Sequence, residues 1–261
     1  MRTFFDRRPW AAVAIIYAVD IAFVLGGAAL LSMWFPNIPG YGYGLSQSLI
    51  LVLVGVLVVA AWLSAGHFWR RAGFVGPSEW RDLRLFWLPA LLVFVPFVAG
   101  IRPLPTDALL TLMVAYAATA FFEEGTYRGL ILGLLRPRGV WTSVIVSSLL
   151  FGLVHLTNIV LRGNPGLIAL QALGAATDGV GMAALRIRTR TVWPGIALHA
   201  VHDLFLQMSH LPIPLMEAVY AIVLLGYGIY LLRPSVLARL EAEPAATGTT
   251  PPAGPVGVAI E

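Results

Sequence analysis

The sequence lacks cysteine and lysine, and only 11% of its 261 residues are charged. The absence of cysteine excludes disulfides, thiolate metal sites and a cysteine nucleophile. A soluble domain usually carries about 25% charged residues, so the shortage of charge argues against a soluble fold. The chain is instead 59% hydrophobic, with a mean hydropathy of +0.83. Together these values predict an integral membrane protein.

Long apolar runs divide the chain into about eight candidate membrane-spanning helices, which predicts an all-α, polytopic transmembrane bundle. The candidate spans are 11–34, 46–66, 84–100, 106–126, 140–160, 166–187, 191–209 and 213–232. We assign residues 1–235 to one membrane domain. Residues 236–261 are rich in proline, alanine and glycine, and we interpret them as a disordered cytoplasmic tail.

Arginine supplies all 17 basic side chains, and their positions indicate the orientation of the bundle. Fourteen of them lie in or beside alternate loops, on one predicted side: Arg2, Arg7, Arg8, Arg70, Arg71, Arg81, Arg84, Arg136, Arg138, Arg186, Arg188, Arg190, Arg233 and Arg239. The positive-inside rule places that side, with both termini, in the cytoplasm. Loop arginines are an ordinary topology signal, so the net charge of +4 does not indicate a nucleic-acid partner. We expect a lipid bilayer as the partner and the bacterial inner membrane as the location.

Ionisable side chains inside the spans are the functional candidates, because burying such groups in a bilayer costs several kcal/mol. They are Asp20, Glu123, Glu124, Arg128, His155, Asp178, His199, His202, Asp203 and Glu217. We assign structural roles to Asp20, Asp178 and Glu217, and the others fall into three short motifs.

The first motif is FFEEGTYR, at the end of the fourth span. In a helix, Glu124 and Arg128 are separated by four residues, so they share one face and form an ion pair. Glu123 is rotated by about 100° and is free for a partner on another helix. The alternative is that Arg128 neutralises both carboxylates as a topological anchor near the interface.

The other two motifs place histidines on the fifth and seventh spans. Phe151 and His155 are four residues apart, and so are His199 and Asp203. Each has a structural alternative: His155 is satisfied by a serine or a backbone carbonyl, and the second pair is a self-contained hydrogen bond. Counted along their helices, Glu123, His155 and His199 lie roughly 12–22 Å from the same membrane face. This common depth predicts one buried site.

These three motifs, EExxxR, FxxxH and HxxxD, occur here in the order seen in a known family. Over roughly residues 85–210, the chain resembles the CAAX prenyl endopeptidase and bacteriocin-processing (CPBP) group, which includes the type II CAAX proteases. The resemblance implies a glutamic intramembrane endopeptidase, a hydrolase that cuts a peptide bond near the cytoplasmic membrane face. It implies no cofactor. The substrate, a peptide or a membrane protein, is possibly prenylated, and its identity is left open.

The resemblance also implies a role for each residue of the motifs. Glu123 corresponds to the general base that activates water, and His155 to the residue that holds this water. Arg128 braces the acidic pair Glu123 and Glu124. His199 and Asp203 correspond to the pair that stabilises the oxyanion, and we assign Phe151 to substrate binding.

Asp203 departs from the family pattern, because many members carry asparagine there. An ionised carboxylate would repel an oxyanion, so Asp203 contributes either in its protonated form or by orienting His199. We favour the orienting role, in which His199 alone donates to the oxyanion. His202 is then the main rival of His199 for the same partner.

Two other functional classes compete with this interpretation. A zinc-dependent metallopeptidase would use His155, His199 and Glu123 as ligands, although the chain contains no HExxH motif. A non-catalytic membrane protein, acting in peptide binding, immunity or transport, would use the same acids and histidines as binding groups or as a proton relay.

Overall fold

The computed structural model describes residues 2–40 and 44–242, and the named elements of these residues are all helical, which confirms the predicted all-α fold. The α-helices are α1 (Arg2–Arg7), α2 (Pro9–Trp34), α3 (Gln47–Ala65), α4 (Trp87–Leu92), α5 (Thr106–Glu124), α6 (Leu132–Leu135), α7 (Val140–Val154), α8 (Asn158–Arg162), α9 (Pro165–Thr189), α10 (Trp193–Gln207), α11 (Ile213–Leu231) and α12 (Pro234–Ala242). The 3₁₀ segments are Trp80–Phe86, Val95–Phe97, Arg136–Arg138 and His155–Thr157, and Gly125–Ile131 is a π-helix.

Six helical stretches in the described chain are long and apolar enough to cross a membrane. They are α2, α3, Thr106–Arg138, Val140–Arg162, α9 and α11. A helix satisfies its own backbone hydrogen bonds, which is the requirement for a chain that crosses hydrocarbon. These stretches coincide with six of the eight spans predicted from the sequence.

The other two predicted spans take different forms. The run 84–100 is not one helix, because it is divided between the 3₁₀ turn that precedes α4, α4 itself, and the turn Val95–Phe97. Pro96 lacks a backbone donor and disfavours the helical conformation of the residue before it, which explains the break. The run 191–209 contracts to α10, whose 15 residues extend about 22 Å. That length is less than the hydrocarbon thickness of about 30 Å.

The predicted tail begins at residue 236, and the structure describes its first residues, up to Ala242. Residues from Pro234 to Ala242 form α12, in which Val236 is 2% exposed. The helix is held to the bundle because Arg136 Nη2 donates to the carbonyl of Leu240 at 2.8 Å. Residues 243–261 lie outside the described residues.

Helix α9 forms the centre of the bundle, packed most extensively against α7 and α11. Small residues permit this close approach. A Cβ on Gly228 would lie 2.9 Å from Gly181 Cα, and one on Gly152 would lie 2.6 Å from Ala176 Cβ. The polar residues that α9 and its neighbours carry are therefore held in fixed positions.

The bundle has two distinct ends. The arginine-rich end contains the start of α2, the chain that follows α3, α6 and the ends of α9 and α11. There, Arg71 Nε donates to the carbonyl of Gly133 at 3.1 Å, and Arg188 Nη1 donates to Leu231 at 3.0 Å. At the opposite end, Gln47 Nε2 donates to the carbonyl of Ile38 at 2.9 Å. The membrane orientation of these ends stays a prediction.

Candidate active site

The two adjacent glutamates lie where α5 passes into the π-helix Gly125–Ile131. Wide π turns are frequent at functional sites. As the spacing predicts, Arg128 Nη1 lies 3.1 Å from Glu124 Oε1, and the two side chains are 1% and 2% exposed. Glu123 projects in another direction and keeps 20% of its side chain exposed. The structure therefore separates the two carboxylates into a paired one and an accessible one.

Phe151 lies directly beneath this ion pair. Its ring centroid is 4.0 Å from the guanidinium carbon of Arg128, a cation–π geometry, and the residue is buried. The ring also contacts Tyr127, with centroids 5.1 Å apart. Phe151, which we expect to bind substrate, lies against Arg128 and lines the same cavity as the two glutamates.

His199 connects the carboxylates of the site. Its Nδ1 lies 3.1 Å from Glu124 Oε1, so the same oxygen faces both Arg128 and the imidazole. Its Nε2 lies 3.6 Å from Glu123 Oε2 and 3.6 Å from Asp203 Oδ2. An ionised Glu124 can only accept, so Nδ1 is the donor in this contact. The other nitrogen then faces the two accessible carboxylates.

His155 stands at the end of α7, where the helix tightens into a 3₁₀ turn. Its Nδ1 is 2.8 Å from the carbonyl oxygen of Phe151. A carbonyl oxygen can only accept, so Nδ1 carries the proton, and Nε2 of the neutral ring is left as an acceptor. The alternative, in which the backbone supplies the hydrogen-bond partner of His155, therefore holds for Nδ1 but not for Nε2.

One cavity of about 810 Å³ joins these groups. All seven residues predicted for the site line it: Glu123, Glu124, Arg128, Phe151, His155, His199 and Asp203. Asp20, Asp178 and Glu217 also line it, although sequence analysis assigns them structural roles. The ionisable residues that the sequence singles out on separate helices therefore share one cavity.

Tyr127 is a residue of the site that sequence analysis missed. Its hydroxyl donates to Asp20 Oδ2 at 2.5 Å, which connects the π-helix to α2. Tyr127 stands three residues after Glu124, so the helical spacing could have identified it. The position of Asp20 on a distant span gave no such signal.

His202 does not compete with His199 for the carboxylates. It is buried and stacks on Tyr220, with ring centroids 3.9 Å apart. Neither of its ring nitrogens has a hydrogen-bond partner within the described chain. The two histidines of α10 therefore have different surroundings, and the one paired with Asp203 is His199.

The imidazoles and carboxylates of this site are also the side chains that a zinc site would use. Within residues 2–40 and 44–242, no group of three or more histidine, aspartate or glutamate side chains is positioned to hold a metal ion. Nδ1 of His155 and of His199 each donate within the protein, to Phe151 and to Glu124. The zinc-dependent alternative stays a prediction that chelation tests.

A family model matches the part of the chain that carries the three motifs. Residues 105–205 match the family model described as type II CAAX prenyl endopeptidase Rce1-like, which confirms the resemblance expected from the three motifs. The matched segment runs from the start of α5 into α10 and contains every predicted site residue. No curated protein and no solved structure matches the chain.

Proposed function

We propose that this type II CAAX protease-like membrane protein is an intramembrane endopeptidase with Glu123 as its general base. The observation that supports the proposal is that the two glutamates have different partners. Arg128 and His199 both contact Glu124 Oε1. Glu123 instead faces the cavity that His155 and Asp203 also line. A base must be accessible to water and substrate, and Glu123 meets that requirement.

Water activation uses the carboxylate of Glu123 and Nε2 of His155. His155 accepts a hydrogen bond from the water, and Glu123 accepts its other proton as the oxygen attacks the peptide carbonyl carbon. The carbon–oxygen double bond opens to an oxyanion. Glu123 then returns the proton to the amide nitrogen, the carbon–nitrogen bond breaks, and an acid and an amine result.

The oxyanion is stabilised by His199. With Nδ1 donating to Glu124, a protonated His199 presents its Nε2–H to the side of the cavity where Glu123 and Asp203 lie. A donor held in advance in a water-poor cavity stabilises developing charge without reorganisation. Asp203, 3.6 Å from Nε2, aligns this donor and does not contact the oxyanion itself.

The test is a comparison of the N-termini of membrane proteins from cells that carry the natural protein or Glu123→Gln. The variant keeps the shape of the side chain and removes the base. We expect one or more termini to disappear in the variant while the protein level is unchanged. Identical sets of termini would contradict a peptidase and favour a membrane binding, immunity or transport protein.

A second experiment addresses the zinc-dependent alternative. Once a substrate terminus is identified, purified protein in detergent is treated exhaustively with a chelator, and cleavage is measured before and after. The proposal expects full activity after chelation. Loss of activity that returns on addition of zinc would favour the metallopeptidase.

A further inference from the structure

The cavity is strongly asymmetric between the two ends of the bundle. From Glu123 its wall extends to the terminal turns of several helices at the end opposite the arginine-rich end. These wall residues are Ser32 in α2, Gln47 in α3, Arg162 in α8, Gln207 in α10 and Ile213 in α11. A segment of peptide entering between these helix ends would reach the site.

In the other direction the wall stops well inside the bundle. On α9 its limit is Met182, and on α10 it is His199, which is six residues, or about 9 Å, from the first residue of that helix. Below Arg128, the side chains from Leu130 to Leu135 are all buried. Apolar packing therefore fills the space between the site and the arginine-rich end.

Hydrogen bonds from side chains to backbone carbonyls also close that end. Arg186 Nη2 donates to the carbonyl of Arg71 at 3.1 Å, and Thr191 Oγ1 donates to the carbonyl of Val75 at 2.7 Å. The loop that follows α3 is thus fastened across the ends of α9 and α10. Gly133 permits the closure, because a Cβ there would lie 3.0 Å from the carbonyl oxygen of Arg71.

The closed end is also where 14 of the 17 arginines lie. Arginine-rich loops remain on the cytoplasmic side of a membrane. The two features together assign the closed end to the cytoplasm and the cavity end to the opposite face.

We propose that the peptide substrate reaches Glu123 from the non-cytoplasmic side of the membrane. The substrate would be an extracytoplasmic segment of an exported or membrane-bound polypeptide. This inference rests on the proposed peptidase function, and it reverses the side of cleavage that the family resemblance implies.

The wall near the open end suits an extended peptide. Its neutral polar side chains include Ser48, Thr111 and the pair Asn158 and Gln171, in which Asn158 Nδ2 donates to Gln171 Oε1 at 3.2 Å. Amides and hydroxyls both donate and accept, so they can replace the water lost by a peptide backbone. A backbone entering a membrane needs such partners, because lipid offers none.

The absence of cysteine permits a direct test by single-cysteine labelling. Thr119→Cys places a thiol in the cavity wall on α5, and Thr177→Cys is its matched control on α9, outside that wall. Ser235→Cys is exposed on α12, at the arginine-rich end. A charged, membrane-impermeant maleimide is applied to intact bacterial cells and, separately, to permeabilised cells.

We expect Thr119→Cys to react in intact cells and Ser235→Cys to react only after permeabilisation, with Thr177→Cys unreactive in both. Thr119→Cys that reacts only after permeabilisation, or not at all, would overturn the proposal. So would Ser235→Cys that reacts in intact cells. Labelling needs no catalysis, so it is repeated in the Glu123→Gln protein and gives its answer even where the peptidase function fails.

The route itself is tested with the termini lost in Glu123→Gln cells. They should map to extracytoplasmic segments, and maleimide attached to Thr119→Cys from outside should block their formation. Termini in cytoplasmic segments, or cleavage that continues undiminished in fully labelled protein, would overturn the route and leave the peptidase function intact.

Discussion

The two sides of the helical turn that carries Glu123 and Glu124 differ in their exposure to solvent and in the residues that they contact. On the braced side, Glu124 and Arg128 form a nearly dry ion pair over Phe151. On the cavity side, Glu123 and Asp203 keep 20% and 24% of their side chains exposed. Neighbours in sequence thus have opposite surroundings.

The difference teaches how a membrane protein keeps one carboxylate available beside an arginine. Glu124 pairs with Arg128 and accepts from His199, whereas Glu123 has no arginine partner in the described contacts. His199 lies on the boundary, with one nitrogen towards each side. Substitutions on the cavity side should therefore alter the reaction, and those on the braced side should alter stability.

The largest expected effect is on the cavity side. Glu123→Gln should lower the cleavage rate by about 10²–10⁴-fold, the usual contribution of a general base, without a change in Tm. The measurement is the formation rate of the substrate terminus, together with thermal unfolding in detergent. Asp107→Asn, an exposed carboxylate on the same helix, is the matched control and should have natural activity. An equal loss in both variants would contradict the assignment.

The next effect is on the braced side. Arg128→Met should destabilise the protein by about 3–5 kcal/mol, because it leaves the buried charge of Glu124 without its guanidinium. The measurement is the free energy of unfolding in detergent. The double variant Glu124→Gln with Arg128→Met removes both charges and should recover part of the loss. If the double variant is no more stable than Arg128→Met, the pair does not act as a brace.

A smaller effect is expected where the π-helix contacts α2. Tyr127→Phe removes the donor to the buried Asp20 and should reduce the free energy of unfolding by about 1–3 kcal/mol. Asp20→Asn combined with Tyr127→Phe should be less destabilising than the sum of the two single changes, since both remove the same bond. Strict additivity in this cycle would show that the contact contributes nothing.

The smallest effect should come from Asp203→Asn, also on the cavity side. An amide can still align Nε2 of His199, so we expect cleavage within about tenfold of the natural rate, or about 1.4 kcal/mol. Asp203→Leu, which aligns nothing, should be clearly slower. A loss after Asp203→Asn as large as that after Glu123→Gln would assign the carboxylate itself to the chemistry.

Helical spacing predicted the contacts correctly where both partners lie on one helix. The pairing of Glu124 with Arg128 and that of His199 with Asp203 both appear in the structure. Spacing failed where the contact is between helices. It assigned structural roles to Asp178 and Glu217, which line the cavity, and it set His202 as a rival to His199 although His202 stacks on Tyr220.

The sequence by itself determined the membrane character, the helical class and the three motifs, because these depend on composition and on the 3.6-residue period. Only the tertiary structure decided that His199 contacts both glutamates and that packing closes the arginine-rich end. The physical reason is that residue spacing determines which side chains share a helix face. The distance between faces depends on how closely neighbouring helices pack, and small residues such as Gly181 and Gly228 make that approach possible.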